Sequence, residues 1–269
     1  MQRQILIIDD HDDLASALKE VFEKNGHQVK TAETRKEALC LDEIEKYDLV
    51  ITDLDSENLI SGSSQNGNSA PCLPHISSAS LSLDEPIKAF KFCATNFRRE
   101  EFDENELKNF VETTLNYKIQ FVDKTEVIKN LHEKIEFELP SAISTMHAVL
   151  DYLMKRVEKL GIINPEQSNL FIALDEAFVN AVKHGNKFDA NKLVRITADV
   201  SAKEARFTVE DEGEGFDVNS IPDPLDPTNL FKTSGRGVLF IYNIMDEVKY
   251  NARGNRLTMV KKSDNTEKV

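Results

Sequence analysis

An asparagine, several carboxylates and a set of glycines carry the chemistry most readily read from this chain. Leu174-Asp175-Glu176-Ala177-Phe178-Val179-Asn180-Ala181-Val182-Lys183-His184-Gly185-Asn186 has helical spacing. Glu176, Asn180 and Lys183 share one face, and Phe171, Leu174, Phe178 and Ala181 form the opposing apolar stripe. An amide oxygen beside a carboxylate suits Mg²⁺, a hard cation that keeps most of its waters and bridges phosphates. In isolation the same pattern describes an ordinary amphipathic helix with a solvated polar face. A second group, Val209-Glu210-Asp211-Glu212-Gly213-Glu214-Gly215-Phe216, follows a strand pattern. Its glycines permit close approaches that a Cβ would block, and Asp211 at the strand end can accept a hydrogen bond from an adenine amino group. An acidic hairpin turn would read alike. A third group, Ser234-Gly235-Arg236-Gly237-Val238, opens a helix, whose N-terminus offers free N–H groups to phosphate, with Arg236 as a charged donor. Glycines before a helix are weak testimony alone. The three groups in order on fitting elements, with a long Pro- and Asp-rich loop (218–234) between the last two, point to a bound nucleotide.

A second set of acids lies near the start. Ile5-Leu6-Ile7-Ile8 runs into Asp9 and Asp10, and Asp48-Leu49-Val50-Ile51-Thr52-Asp53 repeats the apolar-then-acid ending. Such runs suit buried parallel strands. With the helical stretches after each of the first two strands, they predict βαβαβ, a doubly wound parallel sheet that gathers Asp9, Asp10 and Asp53 at the carboxyl ends of its strands.

These residues need supporting elements. Beyond Asp55 periodicity decays, and order returns as a strand over 87–94 and a helix over 104–115. The alternating Lys134-Ile135-Glu136-Phe137-Glu138-Leu139 reads as a half-buried strand, followed by a long helix through Val149, Leu153 and Val157 that Gly161 ends. The next helix spans about 165–187. Strands over 194–200 and 205–211, a helix over about 237–245 and a strand over 256–261 complete an α/β sandwich. No internal repeat is found. The domains expected are 1–116, irregular or eroded over 56–85, then a linker 117–132, a nucleotide-binding domain 133–262 and a disordered tail 263–269.

Bulk properties constrain the partners. The 269 residues carry a formal net charge of −14, a field that repels nucleic-acid backbones. ATP is an anion too, so its site must rely on Mg²⁺, backbone N–H groups and local cations. No apolar run approaches the roughly 18–20 residues that cross a bilayer. The three cysteines, Cys40, Cys72 and Cys93, are odd in number and never paired as CxxC. They read as reduced thiols of a cytoplasmic protein rather than as a zinc site or disulfide.

Over about Lys134 to Lys262 the chain resembles the GHKL (Bergerat-type) ATPase superfamily, and within it the anti-sigma-factor serine kinases of the RsbW type. The stretches carrying this are Lys134-Ile135-Glu136-Phe137-Glu138-Leu139-Pro140-Ser141, His184-Gly185-Asn186, Gly235-Arg236-Gly237 and Met245-Asp246-Glu247-Val248. The resemblance implies that Asn180 coordinates Mg²⁺, Asp211 binds adenine, and Gly213, Gly215, Gly235 and Gly237 let the backbone wrap the nucleotide. Arg236 would contact phosphate, with Lys183 as a further local cation, and Glu176 would orient or deprotonate an acceptor serine. It also implies homodimers, a sigma factor and an antagonist carrying that serine. A non-catalytic ATP-binding module that sequesters a partner is the alternative. A histidine kinase is disfavoured, since His132 and His147 fall within the module and leave no separate hairpin to carry an acceptor.

Over roughly Arg3 to Leu115 the chain resembles a response-regulator receiver of the flavodoxin-like kind. There Asp9 and Asp10 would hold Mg²⁺ and Asp53 would accept phosphate. On that resemblance Thr95 stands at the usual lysine position, Asn96 at the usual proline, and Ser78-Ala79 at the hydroxyl switch. Both a phosphorylatable Asp53 and a degenerate receiver used for docking remain open.

Overall fold

A computed structural model describes residues 1–41, 44–55, 72–73, 87–99, 103–124, 131–164, 168–218 and 236–263. The irregular region 56–85 (Cys72 and Leu73 apart), Ser78-Ala79, the loop 219–234, Gly235, the side chain of Arg236 and the tail from 264 lie outside the described residues. The chain divides into two compact units, Met1–Pro140 and Ser141–Val269.

In the first unit β1 (Gln4–Asp9) is central, with Ile5 to Ile8 fully buried, as a strand covered on both faces requires. It pairs in parallel with β2 (Gln28–Ala32) and β3 (Leu49–Asp55). Between them run α1 (Ala15–Lys24) and α2 (Arg35–Cys40). Thr34 caps α2 by accepting from the Glu37 N–H, a contact worth about 1 kcal/mol. α2 is shorter than its periodicity suggests, and a short 3₁₀ turn follows at Ile44–Lys46.

The expected parallel sheet is mixed beyond β3. β4 (Ile87–Cys93) runs antiparallel to β3, with Val50 opposite Cys93 and Asp55 opposite Lys88. Reversing a strand exchanges its ends, so Lys88 lies at the acid-bearing end of β3 and Thr95 beyond the other. Placing Thr95 as the counterpart of a phosphate-contacting lysine is thereby corrected. β5 (His132–Pro140) is parallel to β4, with Phe90 opposite Ile135. The strand that sequence grouped with the C-terminal half thus has a ladder in the first unit. α3 (Glu104–Tyr117) starts on Asp103, which accepts from the N–H groups of Asn105 and Glu106, and buries Leu107, Phe110, Val111 and Leu115. Residues Lys118–Val122, expected in a linker, continue it as a π-helical turn.

The second unit is an α/β arrangement of helices and an antiparallel sheet. α4 (Met146–Lys159) buries Val149, Leu150, Leu153 and Val157, and Gly161 at φ 73° ends it. α5 (Leu170–Asn180) buries Leu170, Ala173, Leu174, Ala177 and Phe178 and passes into a π-helical turn, Ala181–Gly185. β6 (Leu193–Val200) and β7 (Glu204–Asp211) are antiparallel, with Val194 opposite Asp211. β9 (Arg256–Lys262) pairs with β7, and β8 (Glu247–Tyr250), not foreseen from sequence, pairs with β9. Between β7 and β8 lies α6 (Arg236–Ile244). Ser263, assigned to the tail, is buried and donates its N–H to the Lys203 carbonyl. Among the described residues no helix is long and apolar enough to cross a membrane.

Candidate functional site

The second unit holds a cavity of about 330 Å³. Asn180, at the last helical residue of α5, and Asp211, at the end of β7, both line it. Two groups 31 positions apart therefore face one space. The helix reaches that position because its apolar stripe packs inward and its ladder slips to a π turn after Asn180, a distortion frequent at functional sites.

The surroundings of Asp211 explain why glycine recurs here. The Asp211 carboxylate accepts a 2.8 Å hydrogen bond from the Gly213 N–H. A Cβ at Gly185 would overlap that carboxylate, and one at Gly213 would overlap the Gly185 carbonyl. The three residues stack at backbone distance, which only glycines permit. Burial pushes the Asp211 carboxyl above the ordinary aspartate range, and the Gly213 N–H works against that shift. Gly215, at φ 79°, also lines the cavity.

Other expected residues are placed unevenly. Glu176 is half-buried on α5 and does not line the cavity. Its carboxylate lies where a Cβ on Gly237 would stand, so α5 and α6 approach closely at that glycine. Val238, the next residue, does line the cavity. Lys183 is exposed and is not part of the wall; His184, Lys187 and Arg256 are the bases that line it. Lys187 and Arg256 are local cations of the kind that a chain of net charge −14 needs if it is to hold an anion.

Several supporting residues had no role assigned from sequence. Asn186 is fully buried. Its amide donates to Ser141 Oγ at 2.6 Å and the Leu193 carbonyl at 2.8 Å, and its oxygen accepts from the Glu212 N–H at 2.8 Å. One side chain thus ties the π turn to β6 and to the residue after Asp211. Asn255 exchanges bonds with Asp211: the Asp211 N–H donates to the Asn255 carbonyl, and Asn255 Nδ2 donates to the Asp211 carbonyl. Arg253 donates to the Gly213 carbonyl at 2.9 Å. Phe216 and Tyr250 meet edge to face at 5.2 Å, and burial pushes the Tyr250 hydroxyl up to about 12. The polar turn Asn251 to Asn255 ahead of an apolar strand was the available signal for this wall.

In the first unit Asp9 and Asp53 stand opposite each other on β1 and β3. Asp9 accepts from the N–H groups of Leu14 and Ala15, both at 2.8 Å, and from His11 at 3.0 Å, which holds the entry to α1. Asp10 accepts from the Asp55 N–H at 2.9 Å. His11, not weighed from sequence, meets Asp55 at 2.9 Å. That hydrogen bond raises its pKa, opposed by burial and reinforced by Asp10. Asp10, His11 and Asp55 bring their ligand atoms within 4.8 Å of one another. Asp53 is 2% exposed, and its Oδ2 lies 2.8 Å from Lys118 Nζ and 3.7 Å from Lys88 Nζ. The missing lysine charge expected at Asp53 is therefore corrected: Lys118 and Lys88 provide it. Arg3 grips the first turn of α3 through a two-point pair with Glu106, and the turn after that helix delivers Lys118. Burial opposes the Lys118 charge, but Asp53 and Asp123 outweigh it and raise its pKa.

Residues 139–261 match the histidine kinase-like ATPase domain family, and residues 5–63 match the response regulator receiver domain family. The serine-protein kinase RsbW of Bacillus subtilis (strain 168) is 29% identical over 141 residues, 50% of this chain and 88% of that protein. The serine-protein kinase RsbW of Staphylococcus epidermidis is 25% identical over 142 residues, 50% of this chain and 89% of its own length. The anti-sigma F factor of Geobacillus stearothermophilus is 32% identical over 106 residues, 39% of this chain and 73% of that protein.

Proposed function

This chain belongs to the histidine kinase-like ATPase family and carries a response regulator receiver domain ahead of that module; from this premise we propose that it is an ATP-dependent serine/threonine protein kinase. It acts as an anti-sigma-type regulator in a bacterial, cytoplasmic partner-switching pathway, with the receiver as its input. The supporting observation is the cavity of about 330 Å³ that has both Asn180 and Asp211 in its wall. That volume lies at the lower end of the roughly 300–1,000 Å³ typical of small-molecule sites.

The wall fits an adenine nucleotide. Gly185 and Gly213 leave the Asp211 carboxylate free of Cβ atoms, so it can take a hydrogen bond from an exocyclic amine. Val209, Val238 and Leu257 supply apolar surface for a base. Lys187 and Arg256 offset phosphate charge, and Asn180 presents a hard oxygen for Mg²⁺. Mg²⁺, when bound, neutralises phosphate charge and aligns the group to be transferred. Glu176, held against Gly237, orients or deprotonates the acceptor hydroxyl. Gly215, Gly235 and Arg236 complete the proposed contacts. The proposed partners are a sigma factor, an antagonist bearing the acceptor serine, and a second copy of the chain.

Incubation with labelled ATP, Mg²⁺ and a candidate antagonist tests this reading. Phosphoserine on the antagonist is the expected product. ATP binding without transfer makes the chain a sequestering module, and acid-labile label on the chain itself makes it a histidine kinase. For the receiver, acetyl phosphate should add one phosphoryl group to the parent but not to Asp53→Ala, read by intact mass. Unmodified parent protein leaves the receiver a docking element.

A further inference from the structure

Two of the three cysteines, 21 positions apart and outside any motif, meet in the first unit. Cys72 Sγ lies 3.5 Å from Thr95 Oγ1, and Cys93 Sγ lies 3.8 Å from the same oxygen. Both thiols are free and buried, at 7% and 1% exposure, in a cluster with Leu6, Val50, Leu54 and Ala89. Cys40 is exposed on α2. A buried free cysteine ordinarily serves as a small hydrophobe. This pair has polar company that packing alone does not call for. Cys93 Sγ lies 3.7 Å from Glu138 Oε2, and Lys91 Nζ lies 2.7 Å from Glu138 Oε1.

We infer that Cys72 and Cys93 form an oxidisable dithiol, closed to an intrachain disulfide by hydroperoxides, with Cys72 attacking and Cys93 resolving. The environment sorts the two roles. A hydrogen bond with Cys93 lowers the Cys72 thiol to about 7, against burial and with help from Thr95. The same contact pushes the Cys93 thiol up, and burial adds to it. A more acidic thiol beside a less acidic one is the arrangement in which a sulfenic acid is resolved as it forms.

The Cys72 thiolate attacks the outer oxygen of the hydroperoxide. An S–O bond forms, the O–O bond breaks, and the alkoxide or hydroxide released takes a proton and leaves as alcohol or water. Cys93 Sγ then attacks the Cys72 sulfur, its proton passing by way of Glu138. The S–S bond forms, the S–O bond breaks, and hydroxide leaves as water. Two thiols give up two electrons and two protons, and the hydroperoxide is reduced by two electrons.

The experiment uses the full chain, a small excess of hydrogen peroxide, a maleimide quench and non-reducing peptide mapping. The expected result is one species lighter by two hydrogens, with Cys72 and Cys93 cross-linked, Cys40 alkylated, and reversal by dithiothreitol. Cross-linking should outpace oxidation of Cys40. Cys93→Ser should instead trap Cys72 as a sulfenic acid that dimedone labels. Recovery of both buried cysteines alkylated while Cys40 oxidises overturns the inference, as does Cys72 oxidised without a cross-link. The parent-chain map decides the matter even if the serine variant fails to fold.

Discussion

Asp211 and Asp53 are both buried carboxylates at strand ends, yet their surroundings have opposite designs. Asp53 is closed in by side chains: Lys118 sits on one oxygen, with Lys88 close behind and the Phe90 ring 5.1 Å from the Lys118 ammonium. Asp211 is held by the Gly213 N–H on its carboxylate and by Asn255 on its peptide group, and it faces a cavity. A carboxylate matched by buried ammonium groups already has its partners. One surrounded by glycine and open space waits for a donor from outside. The comparison separates a charge that the protein completes from one that a ligand completes.

Four variants can break or sharpen that contrast. Lys118→Met removes the nearer ammonium from a buried carboxylate and should cost about 3–5 kcal/mol of stability in urea unfolding. Pairing it with Asp53→Asn should recover much of the loss, and a parent-like midpoint for the single variant would remove the idea that Asp53 depends on this lysine. Asn180→Ala should weaken Mg-ATP binding at least ~100-fold, about 2.8 kcal/mol, with little change in melting temperature; titration calorimetry reads both arms. Unchanged affinity there would end the nucleotide assignment.

Asp211→Asn is the third, expected to weaken ATP about tenfold, or ~1.4 kcal/mol, by exchanging a charged acceptor for a neutral one. It also carries a pH signature. Since burial raises this carboxyl in the folded state, its contribution to stability is full below the unfolded pKa and lost as pH rises through the folded one. The asparagine variant should therefore melt higher than the parent near neutral pH. The advantage should shrink on acidification into the aspartate range, and melts showing no such convergence would deny the burial. Arg253→Ala comes last: losing its bond to the Gly213 carbonyl should cost about 0.5–1 kcal/mol, a few-fold in ATP affinity. An effect as large as that of Asn180→Ala would show that Arg253 meets the nucleotide directly.

How far the sequence reached follows from which interactions are local. The βαβαβ order of the first 55 residues was legible because each apolar run ends on an acid and each helix keeps its own spacing. β6 announced itself through Val194, Ile196, Ala198 and Val200, all buried. Asn180 and Asp211 could be paired because one closes a helical face and the other a strand. Direction was not legible: β4 has the same hydrophobic pattern whichever way it runs, so its antiparallel pairing, and with it the place of Thr95, stayed hidden. Nor was reach, since Lys118 acts on a residue 65 positions away. β8 spans four residues that alternate between exposed and half-buried, too few for a periodic signal. Asn186 and Asn255 act through hydrogen bonds to segments distant in sequence, which leave no pattern in composition.

Asn186 has one more consequence. Its amide joins Ser141, Leu193 and Glu212 in a single knot, so none of these segments can fray without loosening the others. The rear of the pocket should accordingly behave as one cooperative unit in hydrogen exchange, the Glu212 and Leu193 amides opening together. Any accommodation of a ligand is left to the parts of the wall that this knot does not hold.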